Sequence, residues 1–141
     1  MLLDANLLLY AVDADSADHE AAVQWLESQL SGPKRVGLPW QTIGAFVRIA
    51  THPRVYERPL APAEAWTHVE AWLAAPNVWI PAAGEATANV LGQLLQAPGV
   101  TGNLVPDAQL AALAIEHGVA VASADADFAR FPGCRWINPL R

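Results

Sequence analysis

VAVASADADF, residues 119–128, begins as a strand and ends in acid. Val119 and Val121 alternate with the small Ala120 and Ala122, which reads as a short buried strand. Ser123 then opens a turn that carries Asp125 and Asp127 ahead of Phe128. Open α/β sheets present their ligand-binding groups at the carboxyl ends of parallel strands. The fold therefore turns on whether other strands alternate with helices and end in the same way.

Just upstream, Asn103 and Pro106 open a helix through about Glu116, and Gly118 is its natural C-cap. At the start of the chain, Leu2 and Leu3 form a very short strand ending at Asp4, followed by an apolar helix from Asn6 to Val12. Ser16 is expected to cap a helix through about Leu30, with Ala22, Val23, Leu26 and Leu30 on one face and Gly32-Pro33 as its stop. Val36–Leu38 is a strand, Gln41–Ala50 a helix, and His52-Pro53 a break. Pro62 starts a helix to about Ala75, Val78–Ile80 is a strand, Glu85–Gln96 a helix and Cys134–Ile137 a last strand. Strands alternating with helices predict an α/β sandwich around a mostly parallel sheet, as one domain over residues 1–141.

With 53% hydrophobic and 16% charged residues, the chain has the composition of a compact globule. Its lone cysteine, Cys134, excludes an internal disulfide framework and a cysteine-rich zinc site. The early apolar run Leu7–Val12 is too short for a membrane span or a signal core, so a cytoplasmic location without membrane contact is expected. Six tryptophans point to further surface buried against a partner, although a large core would use them equally well. The net charge of −6 has the wrong sign for a simple nucleic-acid binder. Its distribution is uneven: Lys34, Arg35, Arg48, Arg54 and Arg58 fall together, whereas residues 59–129 contain no lysine or arginine.

Asp4 and Asp125 follow two strands, and Asp107 stands in the first turn of a helix. Each has an ordinary explanation alone: helix-dipole pairing for Asp107, turn capping for Asp125. Convergence changes the balance, since two carboxylates 4 Å apart repel by roughly 4 kcal/mol at an effective dielectric near 20. No lysine or arginine lies near Asp4, and none follows Asp107 before Arg130. Hard oxygen donors without a local cation are what magnesium or manganese requires. Asn6, Asn103 and Ser123 are candidates to hold a carboxylate or a bound water, with helix or turn roles as alternatives.

MLLDANLLLYAV at residues 1–12, GNLVPDAQLAALA at 102–114 and ASADADF at 122–128 resemble PIN-domain ribonucleases, above all the VapC toxins of toxin–antitoxin pairs. WQTIGAFVRIATHPRV, 40–55, resembles the middle of mycobacterial-type VapC chains. The resemblance implies a PIN-like three-layer α/β/α sandwich and a Mg²⁺- or Mn²⁺-dependent endoribonuclease, acting on transfer or ribosomal RNA with one or two ions. It implies Asp4, Asp107 and Asp125 as catalytic metal-binding carboxylates, Asp127 as accessory, and Asn6, Asn103 and Ser123 as their support. It also implies a homodimer and a cognate VapB-type antitoxin. One departure stands out. Such chains usually carry a glutamate in the helix after the second strand, and Ala45 of Ile43-Gly44-Ala45-Phe46 occupies that position here.

Arg48, Arg54 and Arg58 are the expected RNA-binding cations, with a solvated face as their alternative. Trp66, Val69 and Leu73, with Trp72, read as core or as a groove for an amphipathic antitoxin segment. Ala45 keeps open a second function, a catalytically weak RNA-binding or antitoxin-titrating module. A third, a receiver-type domain with Asp4 as phosphoacceptor, lacks the late partnering lysine, because Lys34 is the only lysine.

Overall fold

Two leucines form the strand at the centre of the sheet. In a computed structural model describing all 141 residues, β1 (Leu2–Leu3) lies between β2 (Val36–Gly37) and β4 (Val121–Ala122). With β3 (Val78–Trp79) and β5 (Trp136–Ile137) at the edges, the order is β3-β2-β1-β4-β5, and every pairing is parallel. Leu2 is in register with Gly37 and Val121, and Leu3 with Ala122. The order of the strands reverses between β1 and β4, where open α/β sheets bind ligands.

Successive strand residues point to opposite faces, and both faces are covered. Leu3, Val36 and Ala122 pack beneath α1 (Ala5–Val12), α2 (His19–Leu30), α3 (Trp40–Ala50) and α4 (Pro62–Leu73). Leu2 and Val121 pack with α5 (Glu85–Leu94), α6 (Leu104–His117) and a 3-10 helix over Ala126–Arg130. The result is the expected three-layer α/β/α sandwich, fully rather than mostly parallel. Phe46 anchors the first layer, edge-on to Trp72 at 4.9 Å; truncating so buried an aromatic costs about 3–5 kcal/mol. Trp72 is therefore core, while Trp66 is left partly exposed.

Local chemistry explains most boundaries. Gly118 adopts φ 67° at the C-cap of α6, and the Val119 N–H donates back to the Ala114 carbonyl. That bond ties Val119 to the helix end, which is why β4 begins later than alternation alone predicts. Gly37 is required by closeness: a Cβ there would collide with the Leu2 side chain and crowd Trp79. The start of α2 differs from expectation. Ser16 does not cap it; its Oγ accepts from the Asp18 N–H at 3.2 Å, and Asp13 Oδ1 accepts from the Asp15 N–H at 3.1 Å. These side chains hold the backbone in local turns, delaying the helix to His19. No helix is long and apolar enough to cross a membrane.

Candidate metal centre and cleft

At the carboxyl edge of β1, Asp4 caps α1, its Oδ1 accepting from the Ala5 N–H at 2.8 Å. Its Oδ2 accepts from Ser123 Oγ at 2.6 Å and from Asn6 Nδ2 at 3.2 Å. Asn6 Nδ2 also donates to Ser123 Oγ at 3.0 Å, and Asn6 Oδ1 accepts from the Ala124 N–H at 3.3 Å. Ser123, fully buried, also accepts from the Asp125 N–H at 3.0 Å. One hydroxyl thus uses its donor and both lone pairs to bind the ends of β1 and β4 together. Trp136 Nε1 donates to the Ser123 carbonyl at 2.9 Å from the neighbouring strand.

The turn after β4 sets the other carboxylates. Asp125 caps the 3-10 helix, its Oδ1 accepting from the Asp127 N–H at 2.9 Å. This folds Asp127 back, so that carboxylate oxygens of Asp107, Asp125 and Asp127 lie within 4.8 Å of one another. Asp107 reaches this trio from the first turn of α6. Its one cationic neighbour of note, Arg130, makes a half-exposed 3.4 Å contact with Asp127, a pair of small energetic worth.

Burial, reinforced by the charges of Asp4, Asp125 and Asp127 and only partly relieved by Arg130, pushes the Asp107 carboxyl up to about 7. Burial also raises Asp4, against the hydrogen bonds from Ser123 and Ala5 that favour its charged form. The trio offers hard oxygen donors with an excess of negative charge. That donor chemistry fits a small divalent cation completing its shell with water.

Beside it opens a cleft of about 350 Å³, with Asp4 and Asp107 facing Gln41, Gly44, Ala45 and Arg48 of α3. Thr42, buried, fastens α3 to the end of β1 by donating to the Leu3 carbonyl at 2.7 Å. The cleft sits at the reversal of strand order, between α3 and the N-terminal half of α6.

Comparison with known proteins agrees with this layout. The PIN-domain family model matches residues 1–133. Ribonuclease VapC37 of Mycobacterium tuberculosis is 45% identical over 138 residues, covering 98% of this chain and 96% of the relative. The chain belongs to the PIN-domain family. Ribonuclease VapC33 of the same species is 41% identical over 138 residues, again covering 98% and 96%. Among solved structures, VapBC2 from Rickettsia felis, crystallised bound to a DNA fragment from its promoter, superposes with a TM-score of 0.71. It covers 97% of this chain and 96% of that one at 15% identity, a likeness of fold.

Within this PIN domain the expected residues do not all meet. Asp127, expected as an accessory, belongs to the tight trio. Asp4 stands just outside it, occupied by Ser123 and Asn6 but close enough for its charge to raise Asp107. Asn103 occupies the N-cap position of α6 yet caps nothing, because its φ −66°, ψ −17° is helical rather than extended. Its exposed side chain makes no hydrogen bond to the carboxylates.

Of the three arginines, Arg48 alone lines the cleft. Arg58 borders a separate small pocket with Asp13 and Tyr56, and Arg54 is exposed. Gln41 and Thr42 were not singled out by sequence. Their only signal is two polar residues at the start of an otherwise apolar helix.

Proposed function

We propose that this PIN domain is an endoribonuclease toxin of the VapC type, hydrolysing RNA phosphodiesters with Mg²⁺ or Mn²⁺. The observation that carries the reading is the trio Asp107, Asp125 and Asp127, within 4.8 Å at the sheet's switch point. Relatives described as ribonucleases, at 41–45% identity along nearly the whole chain, support it.

Asp107, Asp125 and Asp127 would hold the cation, with Asp4 completing the acidic floor. A bound divalent cation would acidify a water and offset negative charge on the phosphate in the transition state. Ser123 and Asn6 orient Asp4, and Asn103, one turn before Asp107, is available to the substrate side. Arg48, across the cleft, would hold a phosphate of the RNA, and Arg54 and Arg58 would meet the strand farther out. Because Asp107 has an affinity for protons near neutrality, loading with metal must displace a proton, so metal affinity falls as pH drops below about 7.

A cognate VapB-type antitoxin and a homodimeric state in the cytoplasm complete the proposal. Solved VapBC assemblies of the same fold, such as that from Rickettsia felis, support the antitoxin.

The second reading, an RNA-binding or antitoxin-titrating module with little catalysis, draws on one observation. Ala45, at the position where the resemblance leads to the expectation of a glutamate, lines the same cleft as Asp4 and Asp107.

Purified protein incubated with total and transfer RNA in Mg²⁺, Mn²⁺ or EDTA separates the two. Discrete metal-dependent cuts, absent with Asp4→Asn, support the nuclease. RNA left uncut by the wild type but cut by Ala45→Glu supports the second reading.

A further inference from the structure

Trp40 begins α3 with its indole 60% exposed, more than any other large hydrophobic side chain in the chain, although its neighbour Pro39 is fully buried. It borders a groove of about 640 Å³ shared with Pro39, Gln41, Ile80, Pro81 and Leu113, and no charged side chain lines it. Gln41 lines both this groove and the carboxylate cleft, so the two adjoin at that side chain.

The register explains why they are neighbours. Leu2 pairs with Gly37, and Gly37 with Trp79, so Asp4, Pro39 and Pro81 each stand two residues beyond a paired position on adjacent parallel strands. Strands lie about 4.8 Å apart. The groove thus runs along the same edge of the sheet as the catalytic candidates, one to two strand spacings from Asp4.

We infer that Trp40 is a stacking platform for a nucleobase flanking the scissile phosphate, with Gln41 contacting the base edge. This rests on the nuclease reading above and adds what selects the site of cutting. The groove has no cation for a phosphate. It offers a free aromatic face, apolar walls and one amide, which suit a flat base with a polar rim. Gln41 Nε2 makes only a long 3.4 Å bond to the Pro106 carbonyl, and its Oε1 has no protein partner, leaving an acceptor for a base amino or imino group. The Pro106 bond also links the groove's amide to the residue preceding Asp107.

The test is binding of a labelled single-stranded RNA by Trp40→Ala and Trp40→Phe, with Ca²⁺ in place of Mg²⁺, alongside mapping of cleavage ends in Mg²⁺ and titration with Mn²⁺ alone. Trp40→Ala should bind RNA about 5- to 100-fold more weakly. It should also cut with altered base preference and take up Mn²⁺ as the wild type does, while Trp40→Phe retains most of the binding. Wild-type binding and an unchanged cleavage pattern in Trp40→Ala, with the wild type active, would overturn the stacking role alone. Loss of self-association in sedimentation with RNA binding intact would overturn it too, marking the groove as a protein interface. A wild type that neither binds nor cuts RNA would sink the nuclease reading beneath it.

Discussion

Ser123 Oγ donates to Asp4 Oδ2 at 2.6 Å, joining residues 119 positions apart through the one hydroxyl buried between β1 and β4. Asn6 and the Asp125 N–H converge on the same oxygen. The acidic floor of the cleft is therefore held by a neutral hub rather than by a salt bridge, which leaves its negative charge available to a cation.

Replacing that hub should be costly twice over. Ser123→Ala leaves the Asp125 N–H without an acceptor and takes from Asp4 Oδ2 its shortest donor, at about 1–3 kcal/mol of stability measured by chemical denaturation. Mn²⁺ affinity, read by calorimetry, should fall about tenfold as Asp4 and Asp125 lose their common support. Unchanged metal affinity would make Ser123 a folding residue only.

Asp107 gives the metal-free protein a distinctive pH response. Its folded value of about 7 lies above the usual aspartate value of 3.8, so the folded state holds this proton more tightly than the unfolded one. The stabilisation is complete below the unfolded value and is lost as pH rises through about 7. In EDTA, wild type should melt at a lower temperature at pH 8 than at pH 5.5 relative to Asp107→Asn, and the difference should shrink when Mg²⁺ is added. Parallel curves for the two proteins would show that Asp107 carries no such penalty.

Asp4→Asn and Asp107→Asn should each lower RNA cleavage by about 100-fold or more while leaving the circular dichroism spectrum native. A variant that still cuts at the wild-type rate removes its carboxylate from the site.

Ala45→Glu should destabilise the metal-free protein, because it adds a carboxylate to a cleft already occupied by Asp4 and Asp107. In Mn²⁺ the same variant should gain ion-binding capacity, counted by calorimetry. Identical stoichiometry and unchanged metal-free stability would indicate that residue 45 does not reach the ions.

Arg48→Ala should reduce the slope of log affinity against log salt by about 1 for single-stranded RNA, whereas Arg58→Ala should change it less. The contrast follows from position: Arg48 lines the carboxylate cleft and Arg58 a different pocket beside Asp13. Equal slopes for the two variants would remove that distinction.

The β–α alternation was legible because each strand is a short apolar run stopped by a turn residue or an acid. The three central strands, β2, β1 and β4, are buried and so carry no polar face to confuse the pattern. The carboxylates were legible as a set, since Asp4, Asp107, Asp125 and Asp127 have no lysine to answer them. Their ranking was not. Asp127 joins the trio only because Asp125 accepts its N–H and turns the backbone, a side-chain bond that periodicity does not encode. The failed cap at Asn103 depends on a single ψ angle. Arg48, Arg54 and Arg58 look alike in the chain, and only the direction of α3 separates the first from the other two. Trp40 was hidden for the same reason, since a helix-initiating tryptophan reads as core until Pro39 beside it is seen to take the buried place.

The central position of β1 has a consequence for when the toxin can exist. Leu2 and Leu3 emerge from the ribosome more than a hundred residues before their partner strand β4 and the Ser123–Asp127 turn. Pairing of such distant segments comes late in folding and cannot precede translation of both. A half-made chain on the ribosome therefore has Asp4 but no Asp125, no Asp127 and no hub to aim them. The acidic cleft is assembled only once β4 and its turn have been made, however early Asp4 is in place.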